Sequence, residues 1–264
     1  MIRSPSDSPW LSRLNLSVDY YNVDLNNAIA QQGASGIYRR CFAAVYNPNY
    51  ENNEWCQRIH RVPGTGEVGN IDITYSNAGR VKTSGIDAQI NWSLDFEEAG
   101  VGLPGTFITS IQATYLLEFS TTTDEGIVPL VDYAGTLGGG QVGTNAGSYR
   151  YKIFSTFTYA IGGATFSLQW QHKPSADSAI SVTDPASNTT GAPKYNLFHL
   201  NGTYAITPDV SFRWGIDNLF DKAPPIIGVN LNSDGLSTLR GGTYDSGNYD
   251  VLGRRFFIGA TFDF

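Results

Sequence analysis

The sequence predicts an all-β protein: an antiparallel transmembrane β-barrel of about eight strands. Three observations carry this. Eight segments alternate apolar and polar side chains with the two-residue period of a strand. The connections between them run long, short, long, short, long, short, long, the sorting expected of long extracellular loops and short periplasmic turns. The composition is poor in charge, at 16%, and rich in Gly (29), Tyr (15) and Phe (14), which suits strands, tight turns and aromatic girdles.

The first strand sets Leu14, Leu16, Val18 and Tyr20 against Asn15, Ser17 and Asp19. The alternation breaks at Tyr20–Tyr21 and resumes with Val23 and Leu25, which predicts one long strand with a bulge or register change near the tyrosine pair. A polar loop of residues 26–69 follows. Ile71, Ile73 and Tyr75 open a second alternation, continued after Asn77-Ala78-Gly79 by Ile86, Ala88, Ile90, Trp92 and Leu94. After a short Gly-rich connection, Phe107, Thr109, Ile111, Ala113, Tyr115 and Leu117 form one face of the third strand. Residues 120–148 make the next long loop, with Gly138-Gly139-Gly140 inside it.

Tyr151 to Tyr159 and Ala164 to Trp170 read as a hairpin turning at Gly162-Gly163. A loop rich in Pro, Ser, Asn and Thr spans 173–193. Phe198, Leu200 and Tyr204, then Val210, Phe212, Trp214 and Ile216, form a second hairpin around Thr207-Pro208-Asp209. Residues 219–252 are the last loop. The closing strand puts Phe256, Ile258, Ala260, Phe262 and Phe264 on one face and Arg255, Phe257, Gly259, Thr261 and Asp263 on the other.

No run of roughly 18 apolar residues exists, so no transmembrane helix is predicted. A mean hydropathy of -0.21 is compatible with strands that alternate lipid-facing and polar residues. The net charge is -7 with no basic block, which argues against nucleic-acid binding. Residues Met1 to Trp10 contain no apolar signal-peptide core.

The two cysteines, Cys41 and Cys56, fit an oxidising compartment. A disulfide between them would close a loop of about 15 residues, worth roughly 3 kcal/mol by loop entropy. The competing reading is a metal site using Cys41, Cys56 and His60, which lacks a second close-spaced ligand pair. His60, His172 and His199 are the only histidines, and no nucleophile motif accompanies them, so no enzyme is predicted. Tyr38, Tyr46, Tyr50, Trp55, Tyr133, Tyr244 and Tyr249 are loop aromatics that either pack within the loops or stack on a ligand.

Four segments, in order, resemble the C-terminal barrel region of TonB-dependent outer-membrane receptors. Leu16 to Leu25, with Asp19-Tyr20-Tyr21, is similar to that family's Asp-Tyr-Tyr strand. Asn77-Ala78-Gly79 with Thr83-Ser84-Gly85-Ile86-Asp87 resembles its Asn-x-Gly…Thr-x-Gly-Ile-Asp segment. Asn218-Leu219-Phe220-Asp221-Lys222 looks like its Asn-Leu-Phe-Asp-Lys element, and the strand ending at Phe264 resembles its last strand. Paired cysteines ahead of the Asn-x-Gly segment occur in one branch of the family.

The resemblance implies a Gram-negative outer-membrane protein surrounded by lipid, with no catalytic, cofactor or metal residues. Phe264 is implied to be read by the barrel-assembly machinery. Gly85 is expected to allow a close approach, and Phe220 to sit in the aromatic girdle. Full receptors of this kind carry an export signal, a TonB box, a plug domain and a barrel of about 22 strands. This chain, residues 1–264, shows no plug and no TonB-box candidate. It is therefore expected to be a C-terminal piece of a receptor for energised uptake of a scarce nutrient, such as a ferric siderophore, a carbohydrate or a cobalamin. Plug and TonB would be partners of the full receptor. On its own the piece is expected to form a curved sheet, closed or nearly so. The alternatives are a small stand-alone outer-membrane barrel with an adhesive or structural role, and a soluble carbohydrate-binding sandwich.

Overall fold

The computed structural model describes residues 2–3, 7–137, 148–187, 189–227, 245 and 247–262. Eight long strands organise them: β1 (Leu14–Gln31), β2 (Tyr75–Asp95), β3 (Thr106–Thr122), β4 (Tyr151–Ile161), β5 (Ala164–Lys173), β6 (Tyr195–Thr207), β7 (Val210–Asp217) and β8 (Arg255–Phe262). Each pairs antiparallel with the next in one sheet, so spatial order follows chain order. Two short strands extend that sheet, Ile2–Arg3 beside β1 and Val131–Asp132 beside β3.

The register sorts side chains into two faces. One outer row runs Leu16–Ile90–Ile111–Ser155–Trp170–Phe198, and another Phe107–Tyr159–Phe166–Gly202–Trp214–Ile258. The inner face carries Asn15–Asn91–Ser110–Thr156–Gln169–His199 and Ser17–Gln89–Gln112–Phe154–Gln171. Among the described residues most of the outer face is uncovered: Ile258 is 81% exposed and Phe256 72%. A continuous apolar face of this kind needs lipid over it. Among the described residues there is one sheet of long strands and no second sheet of long strands packed on it, which argues against the soluble-sandwich reading.

Aromatic residues gather at two levels of the outer face. Toward the short turns lie Trp92, Phe107, Phe157 and Tyr159, with Trp92 and Phe157 each packed against Phe107. Toward the long loops runs Tyr20–Ile86–Tyr115–Tyr151. Six residues of β1 separate the two levels, or about 20 Å at the usual strand rise, close to the apolar height of an outer-membrane barrel, roughly 25 Å. Past Tyr20 the outer face carries Asn22 and Asp24, opposite Ser84 and Lys82.

That change corrects the bulge or register change predicted near Tyr20–Tyr21. Tyr20 pairs with Ile86 and Tyr21 with Gly85 in unbroken register. What inverts at the tyrosines is the polarity of the faces, because β1 leaves the apolar band there. The irregularities of β1 lie between Leu25 and Ile29, where Asn27 has a positive φ of 56°. A bulge nearby belongs to β3: Ser84 pairs with Glu118 and Gly85 with Leu116, leaving Leu117 extra.

The sheet is also open, where closure or near-closure was expected. Its order ends at β8, which does not pair with β1 or with Ile2–Arg3. Closing a barrel requires edges of matched stagger. Among the described residues β1 offers 18 and β8 8. Two edges therefore remain, an arrangement that lipid does not tolerate without partner strands.

The short connections are tight. β4 turns into β5 at Gly162–Gly163, and β6 into β7 at Pro208–Asp209. The long loops hold structure that periodicity does not show. The first contains helix α1 (Ala34–Phe42), a 3-10 turn at Cys56–Arg58, and a small hairpin of Ile59–Arg61 with Val68–Ile71, so Ile71 belongs to this hairpin and not to β2. The third contains helix α2 (Ala179–Thr183).

Candidate functional site at the long-loop end

The first loop is built on α1. Ile37 and Cys41, one helical turn apart, are buried against Ile59 with Tyr38, Trp55 and Ile71 packed around them. Cys41 and Cys56 are disulfide-bonded, which removes the metal reading with His60. Among the described residues no group of three His, Cys, Asp or Glu side chains could hold a metal. Arg39 and Arg40 sit in the last turn of α1, where cations suit the helix dipole. Arg40 reaches Asp124 of the second loop at 2.5 Å, and Arg39 donates to the carbonyl of Ile127 at 2.9 Å. Asp124 is 1% exposed, so this ion pair joins the two loops from within.

The second, third and fourth loops meet in a second core containing Leu137, Tyr149, Tyr195, Leu197, Ile227 and Tyr249. The Tyr149 hydroxyl donates to that of Tyr249 at 2.8 Å. The Lys173 ammonium lies over both rings, 5.6 and 5.0 Å from their centroids, and donates to the carbonyl of Asn248. Burial pushes both phenols above their ordinary range. These residues are up to 100 positions apart, and no motif announced them.

The motif residues fall along β1, β2 and the β7 exit. Asp19 and Asp87 are cross-strand neighbours on the inner face. Tyr20 is on the outer face at the upper aromatic level. Tyr21 lays its ring over Gly85: a Cβ there would stand 2.6 Å from Tyr21 Cζ and 2.7 Å from the carbonyl oxygen of Tyr115. Phe257 covers Gly215 in the same way. Gly79 is packed against Ala30 and the carbonyl of Ala28, while Asn77 is exposed. Beside them Arg80 bridges Asp24 and Glu125, at 2.8 Å to each.

Asn218 ties a knot where β7 ends. With a φ of 51° and 1% exposure, it accepts from Lys222 N at 2.7 Å and donates to Lys222 O at 3.0 Å. Leu219 N donates to Phe198 O. Asp221 accepts from Arg254 N at 2.9 Å, drawing the start of β8 to the end of β7. Phe220, 69% exposed, packs edge-on against Phe198 of the outer face. The base of the fourth loop is thus closed by side chains. Phe264, Tyr244 and Gly138 to Gly140 lie outside the described residues.

The loop aromatics divide. Trp55 is held between the guanidinium groups of Arg40 and Arg58, each 4.4 Å from its ring. Tyr38 stacks on Phe42, and Tyr133 and Tyr249 are buried. Tyr46 and Tyr50 remain exposed, Tyr46 bonding Gly126 O. The histidines each hold a local partner: His60 with Asp72, His172 with Asn196 and Tyr151, His199 with Asp217.

An apolar belt between two aromatic levels, a polar inner face and long loops on one side only define a segment of an outer-membrane β-barrel. The family profile described as TonB dependent receptor-like, beta-barrel, matches residues 7–219, and the chain belongs to that family, whose members are receptors of the outer membrane of Gram-negative bacteria. No curated protein matches the sequence. Among solved structures the fold is similar to the ferric enterobactin receptor of Pseudomonas aeruginosa, with a TM-score of 0.62 for a Q482A mutant bound to enterobactin, at 16% identity, covering 98% of this chain and 30% of the receptor. It is also similar to the siderophore receptor PirA of Acinetobacter baumannii, with a TM-score of 0.53 at 16% identity, covering 95% of this chain and 30% of that one. The chain therefore spans less than a third of the receptors it matches.

Proposed function

We propose that this chain forms the C-terminal part of the barrel of a receptor that takes up a scarce nutrient across the outer membrane with energy supplied through TonB. The open sheet carries this reading. Its two unpaired edges lie in a face that only lipid can cover, so the strands that complete the ring must come from elsewhere. The solved relatives offer a source, since the segment corresponds to about 30% of their length. The remainder would hold further strands and a plug inside the ring, against the polar inner face. Phe264 would serve the assembly machinery. A ferric siderophore, a carbohydrate and a cobalamin are the nutrient classes in view. The stand-alone barrel is not favoured, because it would need β1 and β8 to pair.

An epitope inserted at Tyr50 in the native gene tests this. Tyr50 is 64% exposed in the first loop, so the tag should be accessible on intact cells. It should reside in the outer-membrane fraction on a polypeptide about three times the 28.7 kDa of this chain, one that crosslinks to TonB. A tagged product of 28.7 kDa that crosslinks to nothing would overturn the receptor reading.

A further inference from the structure

The connection from β2 to β3, residues 96–105, is the longest of the three short ones, and it is folded on itself. Phe96 N donates to Gly105 O at 3.0 Å, Ala99 N to Asp95 O at 3.0 Å and Val101 N to Phe96 O at 2.9 Å. One carboxylate oxygen of Asp95 accepts from the amides of Glu97 and Glu98 at 3.0 and 3.1 Å. Gly102, at a φ of 74°, lets the chain turn between Val101 and Leu103.

Two aromatic side chains of the outer face fix where this turn lies. Tyr159 of β4 donates its hydroxyl to Pro104 O at 2.6 Å, and its ring packs 5.8 Å from that of Phe96. Trp92 of β2 donates its indole N–H to Trp10 O at 2.7 Å, which brings the segment before β1 to the same level. Arg13 of that segment pairs with Glu98 of the turn at 2.9 Å. Both donors are on the lipid side of the sheet, so both backbones are drawn to that side and away from the lumen. The outer face is covered at this rim, where Leu94 is 3% exposed.

The covering segments themselves present apolar groups outward. Leu103 is 55% exposed and Val101 belongs to the same exposed set, as do Trp10 and Leu11 of the neighbouring segment. Single exposed apolar side chains need no explanation, but a group of them on one rim does. The turn joins two interior strands, each paired on both sides, so the strands missing from the open edges do not pair beside it. The surface is instead continuous with the lower aromatic level, where Trp and Tyr side chains mark the boundary between lipid and water.

We propose that this turn is a membrane anchor, in which Val101 and Leu103 insert among the lipids of the periplasmic leaflet while Glu97 and the Glu98–Arg13 pair stay in the headgroup water. The occupant is lipid because the turn is bonded to side chains that already face it. The proposal requires only an outer-membrane barrel and stands apart from the uptake reading.

The test places a spin label at the turn by Leu103→Cys, Val101→Cys or Glu97→Cys. The protein is purified from its native outer membrane and reconstituted in a bilayer of phosphatidylethanolamine and phosphatidylglycerol. Cys41 and Cys56 are disulfide-bonded and take no label, and the unsubstituted protein treated in parallel gives the background. All three positions are exposed, so the variants should fold. Collision rates are then read with oxygen, which concentrates in lipid, and with a nickel chelate, which stays in water. The oxygen-to-nickel ratio should be several-fold higher at L103C and V101C than at E97C. Equal access of nickel to L103C and E97C would overturn the anchor. Shielding of L103C from both reagents would overturn it as well, by showing that protein covers the turn, whether another part of the receptor or a periplasmic partner.

Discussion

Gly85 and Tyr21 show how one residue sets a strand pair. They face each other on the inner side, and the ring occupies the space a β-carbon would need. The glycine thus allows an aromatic to lie flat on the sheet at the level where β1 leaves the apolar belt. Gly85→Val should force the ring and the Tyr115 carbonyl apart, at a cost of about 1–3 kcal/mol. The temperature at which the folded form is lost, followed by gel mobility of the outer-membrane protein, should fall. Adding Tyr21→Ala should restore part of the loss. A G85V protein as heat-stable as the parent would mean that the strands are not in this register. Asn218 works by a different route, replacing two missing backbone partners at a left-handed turn with its own amide.

At the scale of elements, the loops form two docked bodies. The first and second loops are joined by Arg40 and Asp124. Replacing Arg40 by Met would leave a carboxylate buried and unpaired, a change worth about 3–5 kcal/mol where both charges are fully buried and less here, since Arg40 is 25% exposed. Protease cleavage between residues 43 and 55 should accelerate in R40M, and an unchanged rate would show that the helix docks by other means.

The second, third and fourth loops are joined through Tyr149, Tyr249 and Lys173. Burial raises the phenol pKa values of Tyr149 and Tyr249 in the docked state. In the undocked state the phenols ionise near 10. Above that pH the undocked loops bind fewer protons than the docked ones, so docking is intact below about pH 10 and weakens as pH rises beyond it. Hydrogen exchange in the segment containing Tyr249 should therefore speed up above that pH by more than the intrinsic base-catalysed increase. Tyr249→Phe should flatten the excess.

For the molecule as a whole, the open sheet is the feature with most consequence. Residues 1–264 refolded alone in detergent should not give a monomeric closed barrel. They should associate through the edges of β1 and β8, whose outward amides should exchange fast. A heat-modifiable monomer with both edges protected would mean that eight strands do close, and the receptor reading would lose its main support.

Much of this architecture was legible in the residue order, for a physical reason. A strand in a bilayer must present apolar groups to lipid at every second position, so alternation survives as a linear pattern. Loops sorted by length mark the two sides of the membrane. Eight strands, three short connections and four long loops follow from those two constraints, and the motifs around Asp19-Tyr20-Tyr21, Gly85 and Asn218 add the family. The break at Tyr20–Tyr21 was visible too, but a linear pattern cannot distinguish an inserted residue from a change of medium on both faces. Only the register against Ile86 and Gly85 separated them.

The three-dimensional arrangement decided the rest, because the deciding contacts join positions far apart in the chain. The Arg40–Asp124 pair spans 84 residues and the Tyr149–Tyr249 bond 100. Closure depends on whether two distant edges match in length and stagger. Alternation specifies which way each side chain points. It carries no information about which distant partner is waiting there.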